Sequence, residues 1–322
     1  MDILEDSIIE PRDGLVRYSP EVVESVRKEF GFHKKENRDS AVAVVQEWIK
    51  NQDHFVKKDF CKGYIERCLI TCKCSIERAK KQIDTICTMR TLMPKYFQIS
   101  DVKNSEITRF INRNIHFALM PNLTKEYYRV AVLKIRGDAD FIQGDTVVLL
   151  KFLAIVAEYL KSNDCARGYY IICDNYDSNA AEVLTRVNLM EVQQFMPLMT
   201  EGYGCRIKGI MLVTASKLIE TFIRLMKPMF SQKIASRIHA VSSRKKIQDY
   251  LSADVLPADY EGKNKSLEQL HENFIESVST QRIQNLLKEM NKAATDESKR
   301  KIDKFNDQYM GMPGSFRTLS LD

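Results

Sequence analysis

Three groups of cations lie close together in one part of this sequence: Arg206 and Lys208, then Lys227, Lys233 and Arg237, then Arg244, Lys245 and Lys246. Any one group alone is what a solvated face shows. Gathered around one apolar helix, they have the charge and the donor count to hold a phosphoinositide headgroup. A nucleic-acid surface fits less well, because no aromatic side chains are interleaved with these cations to stack on bases. Other chemistry is thin. The five histidines (His33, His54, His116, His239, His271) form no HExxH or other close ligand pair, and no nucleophile elbow, P-loop or dinucleotide fingerprint is present. Asp174 ends an apolar run, and DNYDSN (174–179) reads as a turn or helix cap before it reads as a catalytic strand end. The expectation is therefore a protein with no catalytic residues, no metal and no cofactor, and not an enzyme.

The eight cysteines agree with that expectation. Cys61, Cys68 and Cys72 share one helical face, and Cys74 and Cys87 follow without a ligand partner, so these read as reduced, buried thiols of a cytoplasmic protein. A chain of 322 residues with 44% hydrophobic and 29% charged residues has room for one large and one smaller globular unit. Its net charge of +6 suggests a local basic surface. The acidic start MDILEDSIIEPRDG has no apolar core, so no signal peptide is expected. The most apolar run, 147–160, contains Lys151 and Glu158 and is too short to span a bilayer.

The helix between the cation groups has the widest apolar arc in the chain. Leu218, Ile219, Phe222, Ile223, Leu225, Met226, Met229 and Phe230 recur at helical spacing, with Lys217, Glu220, Arg224 and Lys227 on the remaining face. Pro228 should end or kink it near residues 226–227. Such a helix packs on a core, covers an apolar cavity or lies on an anionic membrane. Before it, residues 1–20 read as an irregular arm. Helices are expected over 21–32, from Asp39 or Ser40, over 57–68 and over 75–91, with no strand among them. Residues 128–135, 168–173 and 207–213 read as strands separated by helices at 144–160 and 184–203, the latter broken by Pro197. A strand over 237–241 follows the apolar helix. That alternation implies a mostly parallel sheet. Residues 266–305 read as charged helix, TDESKRKIDK (295–304) as a solvated run, and PGSFRTLSLD (313–322) as unstructured.

Three segments, RIKGIMLV (206–213), FIRLMKPMFSQKIASRIHAV (222–241) and VLPADYEG (255–262), stand in an order that resembles the CRAL-TRIO lipid-binding family. The branch resembled is that of α-tocopherol transfer protein and cellular retinaldehyde-binding protein. The resemblance covers roughly residues 60–274. It departs from the branch pattern at Asp259 and Glu261 in the third segment, at Ala235 in place of a cation, and at CLITCKC (68–74), which offers only Lys73. It implies an α/β fold: an all-helical N-terminal domain (1–95), a lipid-binding domain (96–275) and a charged C-terminal helix and tail (276–322). The second domain would be a mostly parallel sheet flanked by helices, enclosing an apolar cavity under a lid helix. Arg206, Lys208, Lys233 and Arg237 would bind the phosphoinositide. Phe152, Ile155, Ile172, Phe195, Leu218, Phe222, Ile223 and Met226 would line the cavity or lid. The function implied is a monomeric cytoplasmic carrier of one hydrophobic ligand (retinoid, tocopherol, carotenoid or similar lipid), exchanging it through transient peripheral membrane contact. The alternative is a non-transfer interaction module with a filled cavity.

Overall fold

The computed structural model describes Ile8, Pro11 and residues 13–301, and only the backbone of Met226 and Met229. The expectations for most of the first twelve residues, for 302–305, for the tail 313–322 and for the Met226 side chain lie outside the described residues. Four helices come first: α1 (Pro20–Glu29), α2 (Lys35–Lys50), α3 (Lys62–Thr71) and α4 (Ile76–Leu92). Val42, Val45 and Ile49 of α2, and Ala79, Ile83, Ile86 and Cys87 of α4, are buried as their spacing requires. Ser75 caps α4 by accepting the Arg78 N–H, a device worth about 1 kcal/mol. α2 begins at Lys35, not at Asp39 or Ser40, because its N-cap residue Lys34 makes no side-chain cap that a reader could recognise. Residues 57–60 stay outside α3; Lys57 is held instead by Asp59 at 2.9 Å and Glu289 at 2.7 Å.

The chain then runs α5 (Ser105–Asn114), β1 (Ile115–Leu119), β2 (Tyr128–Ile135), α6 (Asp145–Asn163), β3 (Gly168–Asp174), α7 (Ala180–Arg186), α8 (Leu189–Pro197), β4 (Ile207–Val213), α9 (Lys217–Met226), α10 (Gln232–Ala235), β5 (Ile238–Val241), α11 (Leu267–Val278) and α12 (Gln281–Asn291). The expected helix over 184–203 is three pieces. α7 stops, Asn188 caps α8, and a π-turn (Leu198–Gly202) follows Pro197. α9 ends before Pro228, as that residue's missing N–H requires. The five strands lie in the order β1-β2-β3-β4-β5, with β1 antiparallel and the rest parallel. The fold is thus the expected one: a helical N-terminal region, then a mostly parallel sheet flanked by helices.

Register assigns each strand residue to a face. Val132, Ile172 and Met211 pair in a row across β2, β3 and β4, and Val213 pairs with Val241. All are fully or nearly fully buried, in one cluster with Leu256, Tyr260 and Leu267 from the segment after β5. The opposite face carries Leu133, Cys173 and Leu212 in one row, and Ala131, Ile171, Ile210 and Ile238 in the next. α6 covers its β2 end and α9 its β5 end.

Buried ion pairs tie the layers together. Arg129 and Asp164 are both fully buried, 2.7 Å apart, and Arg129 also donates to the carbonyls of Met120, Pro121 and Arg17. Arg90 of α4 pairs with Glu158 of α6, which also accepts from Tyr203 at 3.0 Å. The irregular arm belongs to this core: Leu15, Val16 and Tyr18 are buried. The run expected to be solvated is so only in part: Ser298, Lys299 and Lys301 are exposed, but two other residues are tied to the core. Thr295 is buried, and Arg300 pairs with Asp84 and Glu297, each at 2.7 Å. Asp84 lies in the helical core and also meets His54 at 3.0 Å, so its charge needs these partners.

Candidate functional site: a cationic groove beside an uncovered sheet face

α3 ends at Thr71, and the next turn places Lys73 (φ 54°) and Cys74 (φ 59°) in the left-handed region, where each side chain costs about 1 kcal/mol or more. The Cys74 N–H reaches back to the Leu69 carbonyl at 2.8 Å, which closes the helix end. This turn puts Lys73 at one rim of a groove of about 1070 Å3, together with Arg78 and Lys81 from the first turns of α4. The facing wall is β4 and the segment around α10. There the groove is lined by Arg206, Lys208, Lys233 and Arg237, with Arg167 at the end of the α6–β3 connection. The four cations named from sequence are therefore brought together. Lys73, flagged as the motif's remnant, joins them, and Arg78, Lys81 and Arg167 are additions the sequence reading did not make.

Local contacts hold several of these cations in place. Arg206 stacks 4.4 Å from the Phe30 ring, and Lys208 and Arg167 lie 5.6 and 5.5 Å from Tyr128. Arg237 donates to the Ile207 carbonyl, which fixes the segment after α10 to β4. Arg167 also pairs with Glu29 at 2.9 Å. Lys73, Arg78, Lys208 and Lys233 have no carboxylate partner among the described residues. Partial burial, and then the charges of Arg237, Lys73 and Arg206, push the Lys233 ammonium below its ordinary pKa. These are like charges gathered into one concave space, an arrangement that an anion relieves.

Other cations of the sequence reading are placed elsewhere. Arg244 is bound to Asp174 at 2.6 Å and Asp177 at 2.6 Å. Asp174 is fully buried, accepts the Tyr260 hydroxyl at 2.8 Å and caps its own turn through the Tyr176 N–H. It is a structural anchor, as the turn reading expected.

The apolar residues named from sequence divide among three clusters. Phe152, Ile155 and Phe195 lie in the main core, where Phe152 meets Phe117 at 5.2 Å and Phe195 meets Tyr96 at 5.1 Å. Ile172 faces the opposite, closed side of the sheet. Ile223 is buried under α9 with Ile219 and Ile238, Phe222 is half-buried, and Leu218 is 50% exposed. Leu225 is 70% exposed, so α9 offers solvent two leucines beside Lys217 and Arg224. Between the cluster under α6 and the cluster under α9, Ile171 and Cys173 of the central strand belong to neither. They are only half-buried in the middle of a sheet, with half-buried Leu149, Leu153 and Val187 on one side and Ile210, Leu212 and Leu184 on the other. Among the described residues, no apolar cluster takes in these two side chains.

Two family matches bear on this arrangement. Residues 134–265 match the family described as divergent CRAL/TRIO domain, and residues 34–107 match the one described as Pinta-like, UBA domain. Residues 134–265 are thus similar to a divergent CRAL/TRIO domain. CRAL-TRIO proteins are a lipid-binding and lipid-transfer family, and β3 to β5, α9 and the groove's β4 wall fall inside the matched span, with only the last two residues of β2. The crystal structure of Sfh5 matches with a TM-score of 0.50 at 10% identity, covering 85% of this chain and 99% of that chain, which shows a shared fold. A search of curated proteins found no match. Among the described residues no helix is long and apolar enough to cross a membrane, and no three metal-ligating side chains converge.

Proposed function

We propose that this CRAL-TRIO protein is a carrier. It would hold one hydrophobic ligand against the uncovered sheet face and exchange it at membranes that contain phosphoinositides. The observation that carries the proposal is the pairing of two features: half-buried Ile171 and Cys173 on the central strand, which belong to no apolar cluster among the described residues, and a groove lined by eight cations. Each buried methylene of a ligand contributes about 0.8 kcal/mol, so a long isoprenoid or acyl chain is held without covalent chemistry. α9 would be the lid, with Leu218 and Leu225 entering the bilayer surface while Lys217 and Arg224 meet anionic headgroups. The cargo would be a retinoid, tocopherol, carotenoid or similar lipid, as in the branch that the sequence resembles. The protein would act as a cytoplasmic monomer, touching membranes transiently. Carriage needs no catalytic group, metal or cofactor.

Native mass spectrometry of the purified chain, followed by solvent extraction, tests the cargo. A stoichiometric lipid is expected, and a protein that arrives empty and takes up no retinoid, tocopherol or phospholipid would favour a non-transfer interaction module. That runner-up has one observation of its own, the dense packing of Phe152 and Phe195 inside the core. Flotation with phosphoinositide vesicles tests the groove. Lys208→Ala with Lys233→Ala should weaken vesicle binding about ten-fold or more, from the loss of two charge-assisted contacts, while ligand affinity in solution is unchanged. Equal flotation of variant and wild type would remove the groove from the account.

A further inference from the structure

Behind the α4 wall of the groove lies a lysine without an acid. Lys161 of α6 is 6% exposed and is not among the residues that line the groove. Its ammonium donates to the Thr71 hydroxyl at 3.0 Å and to the Gln82 side-chain oxygen at 2.9 Å, both neutral acceptors. Among the described residues no carboxylate stands within ion-pair distance of it, and Glu158, one turn earlier on α6, is taken by Arg90 and Tyr203. A buried charge with only neutral partners is costly, and an anion nearby relieves it.

Arg78, Lys81, Gln82 and Thr85 line the groove from one face of α4, spaced i, i+3, i+4 and i+7. The two cations are exposed at the rim, and Gln82 and Thr85 are buried behind them. A lysine only donates, so the Gln82 oxygen must face Lys161 and the amide nitrogen must face away from it. That nitrogen reaches Gly204, also a groove residue: a Cβ there would lie 2.0 Å from Nε2. No acceptor among the described residues takes the Nε2 hydrogens, although Gln82 is only 6% exposed. The Thr85 hydroxyl, one turn along, is buried and likewise has no partner there. The field of Lys161 reaches this wall. Burial pushes the Cys72 and Cys205 thiols, both groove residues, up to about 11, and Lys161 is the foremost charge opposing that rise.

We propose that Gln82 and Thr85 form an inner subsite for a phosphate oxygen, and that Lys161 is a positioning residue that charges it from behind. Polarised at its oxygen by the ammonium, the Gln82 amide donates to the anion, which becomes the counterion that Lys161 lacks within the chain. An oxygen held by Nε2 would sit about 7 Å from the Lys161 nitrogen, near enough for an attraction that only the bound state has. The subsite rests on the phosphoinositide reading above and extends it. A headgroup whose phosphates reach both the rim cations and this inner wall is preferred to one with a single phosphate. A soluble phosphate ester and a lipid headgroup offer the same oxygens.

The test titrates the full-length chain calorimetrically with inositol trisphosphate, and floats it with phosphatidylcholine vesicles with or without phosphatidylinositol bisphosphate. Lys161→Met removes the charge and keeps an unbranched side chain. It should weaken trisphosphate binding about ten-fold, while the ligand-free chain melts at the same or a higher temperature. Gln82→Glu gives Lys161 an acid of its own and should move both readings in the same directions. A merely structural role would lower affinity together with the melting temperature, and that result overturns the subsite, as does trisphosphate affinity unchanged in either variant. A wild type that ignores the trisphosphate overturns it too, whatever the vesicles show. Trisphosphate binding that both variants weaken, beside flotation indifferent to phosphoinositide, would keep the subsite for a soluble phosphate ester and refute the membrane reading.

Discussion

The two faces of the sheet are built from the same kinds of residue and are finished differently. On one face Val132, Ile172, Met211 and Val213 are sealed by the segment after β5, whose Leu256 and Tyr260 are themselves fully buried. On the other, one residue along each strand, Ile210 and Leu212 pack under α9, whereas half-buried Ile171 and Cys173 join no cluster among the described residues. A parallel sheet normally buries both faces. Charge follows the same division. Arg129, Arg90 and Arg300 each have an acid partner inside the structure, whereas Lys73, Arg78, Lys208 and Lys233 line a groove that also holds Glu201 and form no ion pair among the described residues.

Two adjacent isoleucines break or sharpen that comparison most directly. Ile172→Ala removes a fully buried side chain from a packed cluster and should cost about 2–4 kcal/mol in a urea melt. Ile171→Ala, its neighbour on β3, should cost less than about 1 kcal/mol, since no cluster packs on it. Its effect should appear instead as weaker retinol retention. Equal costs for the two would mean that the open face is as closed as the other.

The seam along β1 gives a second, somewhat smaller effect. His271 of α11 is buried, with Nδ1 3.1 Å from both the N and the O of Phe117 in β1. Its partial neighbour His116 lies 5.4 Å away, ring to ring. Burial, with the nearby charges of His116 and Arg136, lowers its pKa to about 4 despite the hydrogen bond to the Phe117 carbonyl, which raises it. The unfolded chain, with a histidine near its ordinary value, then binds more protons than the folded one over the interval from about 6.5 down to about 4. Stability should therefore fall with pH across that window, by about 3 kcal/mol in total, and level off below it. His271→Asn lacks the titrating group, so its urea melts across the same pH series should show a flatter slope. A slope that matches the wild type would place the proton uptake in another group.

Much of this architecture was legible because it rests on periodicity. The strands β2 and β4 stand where the apolar alternation ends, and α9 stops where Pro228 demands. What was hidden depended on parity or on distant pairing. GYYIIC is apolar on both sides, so nothing in it says that Ile172 is sealed and Ile171 is not. β1 follows α5 with no turn residue between them and is only five residues long, which leaves no boundary to read. The groove's β4 wall was readable from clustered cations within some thirty residues, but Arg78, Lys81 and Arg167 come from segments that only the fold brings beside it. Arg300 sat in a run of charges whose partner, Asp84, is two hundred residues away in sequence and buried in a helix.

The smallest effect tests how the closed face is sealed. The turn in VLPADYEG carries Tyr260 and Leu256 into the cluster, and the resemblance puts a glycine at the position that Glu261 occupies here. Glu261 nonetheless adopts φ 56°, the left-handed conformation that a glycine would take without cost. The next residue shows why this backbone is kept. A Cβ on Gly262 would lie 2.0 Å from the Leu256 carbonyl oxygen, and the Gly262 N–H bonds to the Pro257 carbonyl at 2.9 Å. The tight path at Gly262 thus fixes the turn, and Glu261 carries the strain. Glu261→Gly should stabilise the protein by about 0.5–1 kcal/mol, the relieved strain less the extra chain entropy of glycine. Gly262→Ala should destabilise it by more than that, because backbone atoms must move apart. Thermal melts of the two single variants would show opposite signs. If both destabilised, Glu261 would be held there by a contact of its side chain, and the closed face would owe its seal to that contact as well as to the shape of the turn.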